Sequence, residues 1–286
     1  MTHGHQHHGM DPVGLFAMWN PWQLLLALAI GFLYFYLIGP GRQRFEHVTP
    51  VKGRHITLFI SGLVLYFIAA GSPLNYYGHH YLFSAHMLQQ ALMYYMVPPL
   101  LILGLPRYLL EAFYSVKPVR KLLETHMLLT IFAFNFLFSI YHLPLIFDAV
   151  MKSELLMTIS HLILFLSAFQ MWWPIINPLP EIKQMSELRK MAYIICGAVL
   201  ITPACALIIF ADSIVYEVYR GVPQLFEWLP PLDDQQLGGI LMKLVQEIAF
   251  GSVLAYIFFR WFRQENPKDA IDMFNPIAEG PQKVKE

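Results

Sequence analysis

The chain has 286 residues, of which 57% are hydrophobic, 15% aromatic and only 13% charged, and its formal net charge is zero. A soluble domain carries about 25% charged residues, so the composition excludes one and requires an integral protein of the lipid bilayer. Charge balance argues against nucleic acid as a partner. Cys196 and Cys205, nine positions apart in one apolar run, give neither a disulfide framework nor a C-x-x-C thiol pair.

The chain opens on MTHGHQHHGM, where His3, His5, His7 and His8 fall within six positions. Such a tract collects transition-metal ions without needing a fold. Gly and Gln interrupt it, unlike an appended affinity run. It passes into the first apolar run without a basic region or a small-residue cleavage site. Residues 1–20 therefore read as a native extracytoplasmic His-rich tail ahead of a retained helix. A bilayer core takes roughly 20 apolar residues in helical form. Seven runs meet that length, near Trp22 to Ile38, Ile56 to Gly71, Ser84 to Leu105, Met127 to Phe147, Leu155 to Ile176, Met191 to Ala211 and Leu237 to Phe262. Residues 21–264 are thus predicted to form an all-α, polytopic bundle of seven transmembrane helices, with 265–286 as a cytoplasmic tail.

Cytoplasmic loops hold the excess of Lys and Arg. Sixteen basic residues lie in the first, third and fifth loops and at the C-terminal end, among them Arg42, Arg107, Lys183 and Arg263, against Lys152 and Arg220 on the other side. This predicts an extracytoplasmic N-terminus and a cytoplasmic C-terminus. His79 and His80 then join the tail on the extracytoplasmic face as auxiliary metal-collecting groups. His86, His142 and His161 sit at shallow depth in the same leaflet, on three consecutive helices.

On the third run, His86, Gln90, Met93 and Val97 form one helical stripe that must face protein. Met87 and Met157 lie near the level of these histidines. Imidazole with thioether is a soft ligand set suited to copper, Cu(I) in particular. Taken singly, each histidine has an ordinary alternative as a hydrogen-bonding group between helices, and each Met as a gap filler. Three histidines at one depth favour a metal site of His86, His142, His161, Met87 and Met157.

Pro98 and Pro99 predict a kink in the third helix, and Pro144 predicts a widened helix end beside His142. Asp233 and Asp234 are placed to cap the seventh helix. Lys243 and Glu247, at i and i+4, can pair within the membrane, either structurally or along a proton path. Gln90, Lys243, Glu247 and Asp234 make up the polar intramembrane set. Asn135 is expected to bond across helices, and Trp172, Trp173, Tyr34 and Tyr36 to act as interfacial anchors. No Ser-His-Asp order, nucleotide loop or pair of carboxylates at depth is visible in the sequence, and no enzyme is expected.

Six motifs recur together: S-A-H-M-L-Q-Q from Ser84, V-P-P-L-L-I-L-G-L-P from Val97, Y-H-L-P from Tyr141, S-H-L from Ser160, W-W-P from Trp172 and D-Q-Q-L-G-G from Asp234. From about Trp19 to Phe262 the chain resembles the CtaG family of cytochrome c oxidase assembly proteins found in Bacillus-type bacteria. The resemblance implies a seven-helix, multi-pass protein of the bacterial plasma membrane that helps build a haem-copper oxidase. It further implies copper delivery to the CuB centre of the catalytic subunit, alongside other copper chaperones. Many members of that family carry a second histidine where this chain has Gln90, so a two-histidine clamp on one helix is not expected here. The alternatives are a copper or proton transporter using Lys243 and Glu247, a bis-histidine haem protein using His142 and His161, and a scaffold for a nascent oxidase subunit.

Overall fold

In hydrocarbon no water satisfies the backbone, so an apolar chain crosses as helices that close their own hydrogen bonds. The structure is a computed structural model and describes residues 14–45, 48–179, 182 and 184–266. Among them are twelve α-helices and no strand. Helix α1 (Pro21–Ile38) is started by Asn20, whose side chain accepts from the backbone N–H groups of Trp22 and Gln23. Helix α2 (Gly53–Gly71) passes through Ser72, which caps the short α3 (Pro73–His80). The third span is α4 (Phe83–Ala91), a π-helical turn at Leu92–Met96, and α5 (Val97–Gly104). Two short helices follow, α6 (Arg107–Ser115) and α7 (Lys117–Leu123). The remainder are α8 (Met127–Tyr141), α9 (Pro144–Met151), α10 (Glu154–Ile176), α11 (Glu187–Ile209) and α12 (Pro231–Glu265).

Six spans are long and apolar enough to cross a membrane, and a seventh is reached if α7 and α8, bent by 88°, count as one. The chain is thus an all-α, multi-pass membrane protein. The fourth run departs from the sequence reading. Pro144 disfavours helical geometry at Leu143, so α8 stops at Tyr141 and α9 starts afresh. Its 15 residues span only about 22 Å, short of the roughly 30 Å core.

The third span also differs from expectation. Pro98 has no N–H, which leaves the carbonyl of Tyr94 without a helical donor. The indole of the fully buried Trp172 supplies one at 3.1 Å. The π-helical turn stands immediately before the prolines, where a kink was predicted. Trp172, Trp173 and Tyr34 are core residues and not interfacial anchors, Tyr34 donating to the carbonyl of Gly104 at 2.9 Å. Tyr36 remains at the edge, with the Arg44 guanidinium 5.6 Å from its ring. Asn135 donates to Ile131 of its own helix and makes no bond across helices. The core is an aromatic column of Tyr94, Tyr95, Phe134, Phe138, Trp172 and Phe250, and α1, by contrast, leaves most of its surface to lipid.

Candidate functional site

Helix α4 begins without a cap of its own. The carboxyl group of Asp234, arriving from α12, accepts from the backbone N–H of Phe83 at 2.7 Å, from that of Ser84 at 3.3 Å, and from the Ser84 hydroxyl. This cap corrects the sequence reading, in which Asp234 served its own helix. It satisfies donors that would otherwise be orphaned at a buried helix start, and it fixes the level of His86 two residues on. Helix α3 then lies directly on α4. A Cβ on Gly78 would sit 2.9 Å from the backbone nitrogen of His86 and 3.0 Å from its Cα, so only glycine permits this approach.

That approach sets His79 beside His86, ring centroids 5.8 Å apart. Helix α10 brings His161 to 6.2 Å from His86 and 6.3 Å from His79. One turn earlier on α10, the sulfur of Met157 lies 2.7 Å from Nε2 of His79. Nδ1 of His79 faces the carbonyl of Asn75 at 2.8 Å and must donate to it, which leaves the Nε2 lone pair toward Met157. The other two imidazoles meet shared neutral donors. The Gln90 amide nitrogen is 2.8 Å from Nε2 of His86 and 3.5 Å from Nε2 of His161. The Tyr141 hydroxyl is 3.1 Å from Nε2 of His161 and 3.4 Å from that of His86. The Gln90 amide donates to Nε2 of His86, and Nε2 of His161 faces the same small volume.

His86 and Gln90 are buried, whereas His79, Met157 and His161 are partly exposed. Nδ1 of His86 and Oε1 of Gln90 are buried without a hydrogen-bond partner. As the side chains stand, no three of His, Cys, Asp and Glu among the described residues are arranged to hold a metal ion. The Gln90 amide and the Tyr141 hydroxyl fill the space between the Nε2 atoms.

Aromatic rings close the end of the cluster. Phe147 lies 5.2 Å from the His86 ring, and Tyr216 stacks on Phe83 at 4.6 Å. Tyr216 and Tyr219 come from the α11–α12 connection, donate to the carbonyls of His142 and Gly78, and are held there by Asp148, which accepts from the N–H groups of Glu217 and Val218. Burial pushes both phenols well above the usual tyrosine range, so they stay protonated donors.

A family model described as cytochrome c oxidase caa3 assembly factor matches residues 32–264. The chain belongs to the caa3 cytochrome c oxidase assembly factors. The match covers every residue of the cluster and implicates an oxidase as partner. No curated protein and no solved structure matches the chain.

In this assembly factor the expected trio is partly reassembled. His86 and His161 come together with Met157 as predicted. His142 does not join them: its Nδ1 donates to Phe138 of its own helix at 2.8 Å, its ring lies 4.1 Å from that of Phe138, and its Nε2 has no partner. Tyr141 stands next to both, its ring 5.0 Å from that of His142 and 5.9 Å from that of His161. His79, read as an aqueous auxiliary, takes the third place. His80 turns away, exposed and stacked on Tyr76 at 4.5 Å. Met87 packs against Gly238 on α12. Lys243 and Glu247 pair at 2.7 Å away from the cluster. His3, His5, His7 and His8 lie outside the described residues. Tyr141 was missed altogether, and the available cue was its place immediately before His142.

Proposed function

We propose that this assembly factor takes up copper as Cu(I) on the extracytoplasmic side of the bacterial plasma membrane, holds it among His79, His86, His161 and Met157, and delivers it to the CuB centre of the oxidase catalytic subunit. The observation that carries this reading is the convergence of three imidazoles and a thioether in a chain that belongs to an oxidase assembly family. These are soft, neutral donors, which suit Cu(I) better than hard divalent cations. Gln90 and Tyr141 keep the Nε2 lone pairs satisfied while no cargo is present, and both can swing aside at the cost of weak neutral hydrogen bonds. No carboxylate bonds to these imidazoles among the described residues, so a bound cation keeps its charge uncompensated in a medium that disfavours it. Such a site holds its ion loosely enough to hand over. The His3 to His8 tract and other copper chaperones are the sources that fit this placement.

The test is Cu(I) binding by purified protein in competition with bicinchoninate, comparing the unaltered chain with a His79→Ala, His86→Ala, His161→Ala variant. Loss of one exchangeable Cu(I) per chain is expected. Equal retention of copper by both proteins overturns the reading.

A further inference from the structure

The ion pair on α12 lies where charge is most costly. Lys243 Nζ donates to the carbonyl of Ala198, the midpoint of the 23-residue α11. Glu247 is 13 positions beyond Asp234, the residue level with the start of the third span, or about 20 Å along the helix axis. Both groups therefore fall inside the hydrocarbon region. Charges at that depth almost always face a bundle interior or a water-filled cavity. Here the side chains are 25% and 51% exposed, on the outer surface of the bundle between exposed Val199 and Leu244.

The pair is also asymmetric. Lys243 has four acceptors around its three protons: the Ala198 carbonyl, the Thr202 hydroxyl, Gln246 Oε1 and Glu247 Oε1. Glu247 has one oxygen engaged with Lys243, and its other oxygen has no hydrogen-bond partner among the described residues. The exposed face is thus an unused acceptor. Below it on the same face, at i+4 and i+8, stand Gly251 and Ala255, both exposed, and a Cβ on Gly251 would meet nothing within 4 Å. The helix surface beside the carboxylate is flat enough for another helix to approach closely.

We propose that this face of α12 seats a transmembrane helix of the oxidase client, one that presents a hydrogen-bond donor to Glu247 and lies across Gly251 and Ala255. The proposal rests on the reading of the chain as an oxidase assembly factor and names the surface through which it engages its client. A second copy of the chain fits less well, because it would bring a second Glu247 to the same place and a Lys243 whose protons are already used.

The experiment places the photo-crosslinking residue p-benzoylphenylalanine at Ile248, beside Glu247, and separately at Ile159 on α10, in cells that assemble the oxidase. Adducts are identified by the peptides they contain. From Ile248 we expect an adduct with a transmembrane peptide of an oxidase subunit. Its yield should fall about fivefold with Glu247→Leu or with Gly251→Leu, and should be largely kept with Glu247→Gln, whose amide oxygen still accepts. Gly251→Leu touches nothing within the bundle, so loss there is not loss of fold. Adducts from Ile248 with lipid or a second copy alone, or oxidase adducts indifferent to Glu247→Leu, overturn the docking surface. If Ile159 still yields oxidase adducts, the assembly reading survives that failure. If neither position does and the oxidase spectrum is normal without this protein, the assembly reading fails as well.

Discussion

Two of the polar clusters within the apolar bundle use their hydrogen-bonding capacity in opposite ways. Around Lys243, every proton of the ammonium is engaged, two of its acceptors belong to the neighbouring helix α11, and the cluster ties α11 to α12. Around His86, three imidazoles and a thioether crowd together, two ring nitrogens share the same neutral donors, and further polar atoms are left without partners. The first arrangement is a joint in which the ammonium is saturated, although Nε2 of Gln246 and one oxygen of Glu247 are left over. The second holds spare lone pairs in place. In a medium that penalises unsatisfied groups, spare lone pairs held at one place are what the proposed copper site would use, and a saturated ammonium is what ties two helices together.

That contrast breaks most completely at Asp234, on which the histidine cluster depends. Asp234→Ala removes three hydrogen bonds from the start of α4 and should cost about 3 kcal/mol, read as earlier unfolding in detergent and loss of copper binding together. Gly78→Val should separate the two effects. Overpacking against the His86 backbone costs roughly 2 kcal/mol, and lifting α3 off α4 carries His79 away from His86, so copper affinity should fall by more than stability does. Lys243→Met tests the other cluster. It should cost about 2 kcal/mol by stranding Glu247, with copper binding unchanged, and adding Glu247→Leu should recover part of the loss. Gln90→His sharpens the contrast from the functional side, since a fourth imidazole in place of an amide should raise Cu(I) affinity about tenfold in the same competition assay. The smallest effect is expected from His142→Phe. The change removes the Nδ1 bond to Phe138, whose carbonyl keeps the His142 N–H, and also removes a buried Nε2 that has no partner, so copper binding should stay the same and stability should shift by less than about 1 kcal/mol.

The spans were legible in the sequence because length and hydropathy dictate them, and so was the pairing of Lys243 with Glu247, which needs only helical spacing. The approach of His86 and His161, with Met157 one turn away, was legible from their common depth on separate helices. His142 misled because the break at Pro144 puts it at the helix terminus, where its ring turns back to the carbonyl of Phe138. His79 was hidden because it lies in a connector with no membrane signature and reaches the cluster only through the contact of Gly78 with α4. Glycine within the aromatic stretch YYGHH was the one local sign of that contact. Asp234 was recognised as a cap, but no spacing within α12 could say that the capped helix begins 151 residues earlier in the chain.

The rings of Phe147, Tyr216 and Tyr219 close the cluster from above, while His79, Met157 and His161 keep part of their surface on its flank, where α3 and α10 face each other. On the copper reading proposed above, traffic to the imidazoles runs sideways. An ion handled in that way would travel at the height of the lipid headgroups, from one embedded protein to the next, without being released into open water.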